Sequence, residues 1–216
     1  MRIVAFVTQK GGSGKSTLAS SLAVAAAEAG EKVVLIDMDP QASLAKWAKM
    51  RGKSDIAVEA VAPGKLKAVL SAIAGKGVTL VVLDTPAGET PATEAAARAA
   101  DLTIIPSRPN AFDLWSSEAT RKAVKALKRD YVFLLNQCPP AQQTARIEEG
   151  MSALEAMGGM LTPAIGARVD FQEAVRLGLG ATEYAPSSPA ADETRKLWRS
   201  LRKRLSRAGQ PQRRAA

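Results

Sequence analysis

Short runs of hydrophobic residues alternate with amphipathic stretches along most of the chain. The runs are nearly continuous in Val, Ile and Leu, which is typical of strands that are buried on both faces of a sheet. In the stretches between them, apolar positions recur with the period of an α-helix. Such alternation predicts parallel strands joined by right-handed crossovers through helices. We therefore expect an α/β protein: a single doubly wound domain with a mostly parallel central sheet flanked by helices.

The pattern also gives the expected order of elements. Strands are expected at residues 3–7, 32–37, 78–84, 102–106 and 131–136, with weaker candidates at 57–60 and 162–165. Helices are expected at residues 16–29, 41–50, 65–74, 91–100, 113–128, 144–157 and 194–207. We expect one domain over residues 1–208, followed by a disordered basic tail over residues 209–216.

A glycine-rich stretch follows the first predicted strand, and residues 10–17 read Lys-Gly-Gly-Ser-Gly-Lys-Ser-Thr. Glycines let backbone N–H groups converge on an anion, and the following helix directs its positive end toward that anion. In the P-loop template, the lysine reaches the β- and γ-phosphates and the hydroxyl ligates Mg²⁺. A plain turn is the alternative, but the flanking strand and helix favour a P-loop NTPase. The expected nucleotide-binding residues are Gly11, Gly12, Ser13, Gly14, Lys15, Ser16 and Thr17.

Carboxylates follow two further predicted strands. In open α/β sheets, ligands bind beyond the carboxyl ends of the strands. Four apolar residues precede Asp84, which is the Walker B pattern, so we expect Asp84 to hold Mg²⁺ through water. Asp37 and Asp39 follow another apolar run, and by themselves they would also fit the start of a helix. Together with the glycine-rich loop, these residues predict binding of ATP and Mg²⁺, with Ser16 as a further metal ligand.

The lysine that precedes the glycines makes the pattern more specific. The string Lys10-Gly-Gly-x-Gly-Lys15-[Ser/Thr] resembles the deviant Walker A motif of the ParA/MinD family of ATPases. This resemblance implies that Lys10 crosses a dimer interface to nucleotide held by the other subunit. Residues 37–41 resemble the A′ motif of ParA proteins, which implies that Asp39 positions the attacking water and Asp37 supports the Mg²⁺ shell. The catalytic residues implied are Lys10, Lys15 and Asp39.

The second half of the chain extends the resemblance. Asn136 ends a predicted strand, where ParA-like proteins carry an asparagine that reads adenine. Residues 168–174 and 178–191 resemble the C-terminal signature of short ParA proteins, which implies that Pro186 packs near the base. The resemblance covers nearly the whole chain, but residues 50–77 match no part of it.

Positive charge is concentrated near the C-terminus. The formal net charge is +9, and residues 192–216 contain nine basic residues against two acidic ones. This asymmetry favours a polyanionic partner over a merely solvated helix face. The last predicted helix also carries an apolar stripe of Leu197, Trp198, Leu201 and Leu205. The residues expected to contact duplex DNA phosphates, without reading sequence, are Arg195, Lys196, Arg199, Arg202 and Lys203.

A MinD-like alternative would lay the same helix on an anionic membrane with its stripe inward. The short stripe and the many arginines favour DNA. Histidine is absent, which excludes His-based triads, His general bases and most zinc sites. The lone Cys138 cannot form an internal disulfide and suits a reducing compartment. No membrane-spanning run and no export signal are recognised, so we expect a cytoplasmic, nucleoid-associated protein.

These observations together predict a ParA-type partitioning ATPase. An ATP-bound homodimer is expected to bind DNA non-specifically and to release it after slow hydrolysis. A ParB-like or other small partner protein is expected to stimulate that hydrolysis. A MinD-like membrane-cycling ATPase and an ATP-dependent metabolic enzyme on the same fold are the alternatives. The sequence does not identify the cargo, which could be a plasmid, a chromosome or a protein assembly.

Overall fold

A computed structural model describes residues 1–139 and 144–208 and contains one six-stranded sheet. The strand order is β3-β2-β4-β1-β5-β6, and every neighbouring pair is parallel. The predicted doubly wound α/β architecture is therefore confirmed. The strands are β1 (Arg2–Phe6), β2 (Val33–Asp37), β3 (Ala57–Ala60), β4 (Leu80–Asp84), β5 (Leu102–Ser107) and β6 (Tyr131–Leu135).

Helices connect the strands and cover both faces of the sheet. Over the described residues the α-helices are α1 (Lys15–Glu28), α2 (Ser43–Arg51), α3 (Leu66–Ala74), α4 (Pro91–Ala99), α5 (Ala111–Ala126), α6 (Thr144–Gly158), α7 (Val169–Arg176), α8 (Ala181–Tyr184) and α9 (Pro189–Ala208). A 3₁₀ turn at Pro63–Lys65 leads into α3. Helices α7 and α8 were not predicted, and α9 begins five residues earlier than expected.

The weak strand expected at residues 162–165 does not form. The chain from residue 160 to 166 instead runs beside β6, with isolated bridges on either side of the expected strand, Phe133 with Met160 and Cys138 with Gly166. Backbone hydrogen bonds from Leu161 N to the Phe133 carbonyl (2.8 Å) and from Ile165 N to the Leu135 carbonyl (2.9 Å) hold it there. The tail predicted to be disordered, residues 209–216, lies outside the described residues.

Alternate side chains of the central strand enter opposite cores. Val4 and Phe6 of β1 are fully buried on the side covered by α1 and α9. Ala5 and Val7 pack on the other side with residues of α3 and α4. A strand is apolar wherever both of its faces are enclosed in this way, which explains the hydrophobic run that follows the exposed Arg2.

The apolar stripe of α9 is part of the domain core. Leu197, Trp198, Leu201 and Leu205 are at most 4% exposed, and they join the cluster that contains the buried face of α1. In this fold the stripe therefore has no free surface with which to enter a membrane. No helix in the described part of the chain is both long and apolar enough to span a bilayer.

The three central strands end side by side. Phe6 of β1 and Asp37 of β2 both pair with Asp84 of β4, at the carboxyl edge of the sheet. The glycine-rich loop leaves β1 at this edge. The sheet thus brings together the loop and carboxylates that are far apart in the sequence.

Candidate nucleotide-binding site

The glycine-rich loop requires glycine at two positions. Gly12 and Gly14 have φ values of +75° and +85°, a left-handed conformation that side chains disfavour. A Cβ atom on Gly14 would also lie 2.6 Å from Nδ2 of Asn136. Gly14 precedes α1, whose N-terminus has no side-chain cap. The first N–H groups of α1 are therefore available to an anion.

Two amide side chains beyond β6 hold this loop in place. Nδ2 of Asn136 donates to the Ser13 carbonyl at 2.7 Å, and Nε2 of Gln137 donates to the Gly12 carbonyl at 2.9 Å. The supporting role of Gln137 was not predicted. Its position after a buried strand is the one sequence signal for that role, and that signal does not identify a contact with the loop. The predicted contact of Asn136 with adenine stays a prediction.

A cleft of about 370 Å³, hereafter the first cleft, lies over the loop. Lys15 lines it and is only 8% exposed. Burial lowers the pKa of the Lys15 ammonium, while the nearby carboxylates of Asp84 and Asp39 oppose that shift. A desolvated ammonium beside backbone N–H groups is suited to binding phosphate oxygens.

Asp84 is a buried carboxylate without a partner. It is completely buried, and neither carboxylate oxygen accepts a hydrogen bond of normal length and angle in the described structure, although the Ser16 hydroxyl is close enough to affect its pKa. Burial raises its pKa to about 7; the Asp37 and Asp39 carboxylates also raise it, and the Ser16 hydroxyl and Lys15 lower it. Such an orphaned group is costly unless a cation compensates it.

The donor set of the site fits Mg²⁺, which prefers hard oxygen ligands in octahedral geometry. Asp84 and the Ser16 hydroxyl, which lines the first cleft, are the residues that would hold it. Among the described residues, no group of three His, Cys, Asp or Glu side chains could hold a metal ion by itself. This agrees with the usual behaviour of Mg²⁺, which completes its shell with water and phosphate oxygens.

The carboxylates of Asp37 and Asp39 have different surroundings. Oδ2 of Asp37 accepts from the backbone N–H groups of Leu44 (2.9 Å) and Ala45 (3.2 Å), so it holds the start of α2. Its other oxygen accepts from Asp39 N at 3.1 Å. These contacts show a supporting role that the sequence did not predict, and a part for Asp37 in a Mg²⁺ shell stays a prediction. Asp39 is half-buried and lines the first cleft, as a water-positioning residue must.

The two loop lysines have separate positions. Lys10 is not among the residues that line the first cleft. Its Nζ lies 2.9 Å from Oδ2 of Asp113, on the first turn of α5, and 5.5 Å from the centroid of the Phe112 ring. Asp113 was not identified from the sequence, because its partner Lys10 is 103 residues away.

A second cleft, of about 250 Å³, shares Gly14 and Thr17 with the first. Its other walls include Asn136 and the segment from residue 166 to 172. Pro186 is not brought to either cleft; it is exposed, and its carbonyl accepts from Nη1 of Arg195 at 2.8 Å. A nucleotide could extend from the first cleft, with its phosphates, into the second.

The parallel sheet with a phosphate loop after its central strand defines a P-loop nucleotide-binding protein. A family model described as the CobQ/CobB/MinD/ParA nucleotide binding domain matches residues 4–180. The chain therefore belongs to the MinD/ParA family, which confirms the resemblance seen in its motifs.

Curated relatives and solved structures agree with this membership. The maintenance of carboxysome distribution protein A of Gloeobacter kilaueensis is 36% identical over 165 residues, covering 72% of this chain and 75% of that protein. The chromosome-partitioning ATPase Soj of Thermus thermophilus is 25% identical and covers 96% of this chain and 98% of that protein. The septum site-determining protein MinD of Pyrococcus horikoshii, solved with Mg-ADP, is 21% identical with a TM-score of 0.74, covering 97% and 99% of the two chains. That structure shares the fold.

The unpartnered Asp84 predicts an unusual pH dependence of stability. Its folded pKa of about 7 exceeds the ordinary value of 3.8, so folding disfavours the ionised form. The contribution of Asp84 to the stability of the nucleotide-free protein should fall as pH rises from 4 to 7 and then level off. An Asp84→Asn variant should avoid this loss, so that its free energy of unfolding exceeds the parent's by about 2–4 kcal/mol at pH 8. The two proteins should be equally stable near pH 4.

Urea unfolding at both pH values, without nucleotide or Mg²⁺, measures this difference. Asp130→Asn is the matched control, since Asp130 is exposed and the same substitution should change little. Equal stabilities of parent and Asp84→Asn at pH 8 would show that the Asp84 carboxylate is satisfied in solution.

Proposed function

We propose that this chain is a ParA-type partitioning or positioning ATPase that works as an ATP-bound homodimer on DNA. The separation of its two loop lysines carries the proposal: Lys15 lines the first cleft, whereas Lys10 lies outside it on Asp113. A second cation on the same loop, but outside the cleft, is suited to nucleotide held by another copy. The names of the carboxysome-distribution and chromosome-partitioning relatives support a role in moving cargo.

The reaction proposed is hydrolysis of ATP to ADP and phosphate. Lys15 binds and neutralises the β- and γ-phosphates, and Lys10 of the second subunit adds positive charge there. Asp39 accepts a hydrogen bond from water and orients the water oxygen toward the γ-phosphorus. That oxygen bonds to the γ-phosphorus, the bond to the β,γ-bridging oxygen breaks, and the bridging oxygen leaves with ADP. The proton lost by the water passes to a phosphate oxygen. Bound Mg²⁺ would neutralise further phosphate charge. Catalysis is then mainly positioning and electrostatic stabilisation, as in other phosphoryl transfers.

Slow turnover is part of the proposal. Asp39 is the carboxylate that lines the first cleft together with Lys15, and histidine is absent from the whole chain. A small partner protein, ParB-like or of another kind, is proposed to accelerate hydrolysis and so to end the ATP-bound state. The released subunits would then leave DNA, and repeated cycles of binding and release would move the cargo.

The exposed face of α9 supports the DNA part of the proposal. Arg199, Arg202 and Lys203 are exposed and make no ion pair with the described residues. Lys196 instead pairs with Asp192 at 2.7 Å, and Arg195 is bound to the Pro186 carbonyl. The predicted set of five therefore divides into three uncommitted cations and two that also hold local structure. A dimer would present the three cations twice.

Charge removal on this face should weaken DNA binding. The combined variant Arg199→Gln/Arg202→Gln/Lys203→Gln should bind duplex DNA at least about tenfold more weakly in the presence of ATP, equally for unrelated sequences. The slope of log K against log[salt] should become shallower by about 0.9 for each DNA phosphate that the variant no longer neutralises. ATP hydrolysis should be unchanged, because α9 does not line the first cleft.

Fluorescence anisotropy of labelled duplexes over a range of salt, with ATP and with ADP, makes this measurement. Lys65→Gln/Lys67→Gln/Lys76→Gln is the matched control, because it removes three exposed charges from the region of α3. Equal decreases in the two variants would mean that net charge, rather than the α9 face, binds DNA. Binding of anionic vesicles in place of DNA would move the protein to the MinD-like alternative.

A further inference from the structure

Lys10 is held inside its own subunit by a buried carboxylate. The Asp113 side chain is only 2% exposed, whereas that of Lys10 is 34% exposed, and their Nζ and Oδ2 atoms are 2.9 Å apart. The exposed ring of Phe112 lies 5.5 Å from the same ammonium and adds a cation–π contact. A pair in which one partner is desolvated is held more firmly than a freely solvated ion pair.

Asp113 also has a second cation. Nε of Arg108 lies 3.1 Å from Oδ1, the carboxylate oxygen that Lys10 does not use. Burial tends to raise the pKa of Asp113. Hydrogen bonds from Lys10, Arg108 and Asn110 outweigh burial and hold that pKa below its usual value. The carboxylate is therefore charged, and it would remain paired with Arg108 if Lys10 left.

This second pairing makes Lys10 exchangeable. Leaving a buried charge with no partner is strongly unfavourable, and a carboxylate bound by Lys10 alone would retain it. Arg108 removes that obstacle. Lys10 is thus a lysine of the glycine-rich loop that can leave Asp113 without leaving that carboxylate unpaired.

We propose that Asp113 is a positioning residue that holds Lys10 in the separate subunit and releases it to nucleotide bound by a second copy. This inference rests on the proposed function, because it is ATP in a second copy that receives Lys10. Formation of the dimer then breaks two Lys10–Asp113 pairs, one in each subunit. The strength of the pair sets how readily the dimer forms.

Substituting Asp113 and substituting Arg108 should change the dimer dissociation constant in opposite directions. Asp113→Asn frees Lys10 before the dimer forms. We expect each freed lysine to strengthen association about threefold, so the two together should lower the dimer dissociation constant by about tenfold. Arg108→Gln leaves Asp113 with Lys10 alone, so it should raise that constant by a similar factor. If Asp113 and Arg108 merely stabilised the fold, substituting either of them would weaken the dimer.

Sedimentation with saturating ATP and Mg²⁺ measures both constants. Every protein should carry Asp39→Ala, so that hydrolysis does not end the dimeric state. If Asp113→Asn does not fold, Asp113→Asn/Arg108→Gln removes both charges together and should still dimerise more tightly than the parent. An Asp113→Asn or double variant that dimerises no more tightly than the parent would overturn the proposal.

Chemical labelling tests the pair without nucleotide. Acylation of lysine amines in the nucleotide-free protein, followed by mass spectrometry, should be several-fold faster at Lys10 in Asp113→Asn than in the parent. Lys122, exposed on the same helix and paired with Glu118, is the internal control and should not change. Unchanged labelling of Lys10 would show that the pair does not hold it in solution. If the parent fails to dimerise with ATP, the proposed function fails, whereas the labelling result still decides whether Asp113 holds Lys10.

Discussion

Lys15→Ala is expected to lose ATP binding, with an affinity at least about 100-fold below the parent's, or about 2.7 kcal/mol. Lys15 is the buried cation of the first cleft, and the carboxylates of Asp39 and Asp84 are close enough to perturb it. Without the ammonium, these carboxylates would repel the phosphates. Isothermal titration with ATP and Mg²⁺ measures the decrease.

Lys46→Ala is the control for this variant, because Lys46 lies exposed on the nearby helix α2. It should bind ATP as the parent does. Thermal unfolding without nucleotide should be measured on the same preparation, so that a loss of ATP binding is attributed only to a folded Lys15→Ala protein. ATP affinity within about threefold of the parent's would contradict the assignment of the phosphate site to this loop.

Asp39→Ala is expected to lose hydrolysis, at least about 100-fold, while binding ATP within a few-fold of the parent's affinity. Asp39 lines the first cleft but is tied to the fold by little more than its Oδ1, which accepts from Gln41 N at 2.9 Å. Asp37, by contrast, receives three backbone N–H groups. Removing Asp39 should therefore affect water positioning more than structure.

Steady-state phosphate release and an ATP titration on the same preparation separate the two effects. Asp130→Ala changes an exposed carboxylate and should leave both quantities unchanged. Turnover by Asp39→Ala above a tenth of the parent's would mean that another group positions the attacking water.

Local patterns were enough to predict the sheet and the phosphate loop. The strands β1, β2 and β4 lie between two layers of helices, so each had to be an uninterrupted apolar run. The loop can also be recognised from local sequence, because its glycines, its lysine and the following helix are contiguous in the chain. Strand β3 was a weak candidate, since it lies at the sheet edge and is mostly exposed.

Contacts between distant segments could not be predicted in this way. Asn136 and Gln137 support the loop across more than 120 residues, and no spacing rule connects them. Short helices such as α8, with four residues, show too little periodicity to be recognised. The early start of α9 has a local cause: Pro189 is its first residue, a position that proline favours.

The position of Pro186 shows the limit of carrying a role over from a motif. Its segment resembles a family signature, but its carbonyl binds Arg195 at the base of α9. The second cleft is walled instead by the segment that includes Phe171. Pro186 lines neither cleft, and its predicted packing near the base stays a prediction.

The mass of the Asp39→Ala protein in solution tests the proposed ATP-bound dimer most directly. Sedimentation should be measured without nucleotide, with ADP and Mg²⁺, and with saturating ATP and Mg²⁺. Because this variant should bind ATP without hydrolysing it, we expect a stable dimer with ATP and a monomer in the other two samples. A monomer at saturating ATP would contradict a function in which Lys10 of one subunit reaches the nucleotide of another.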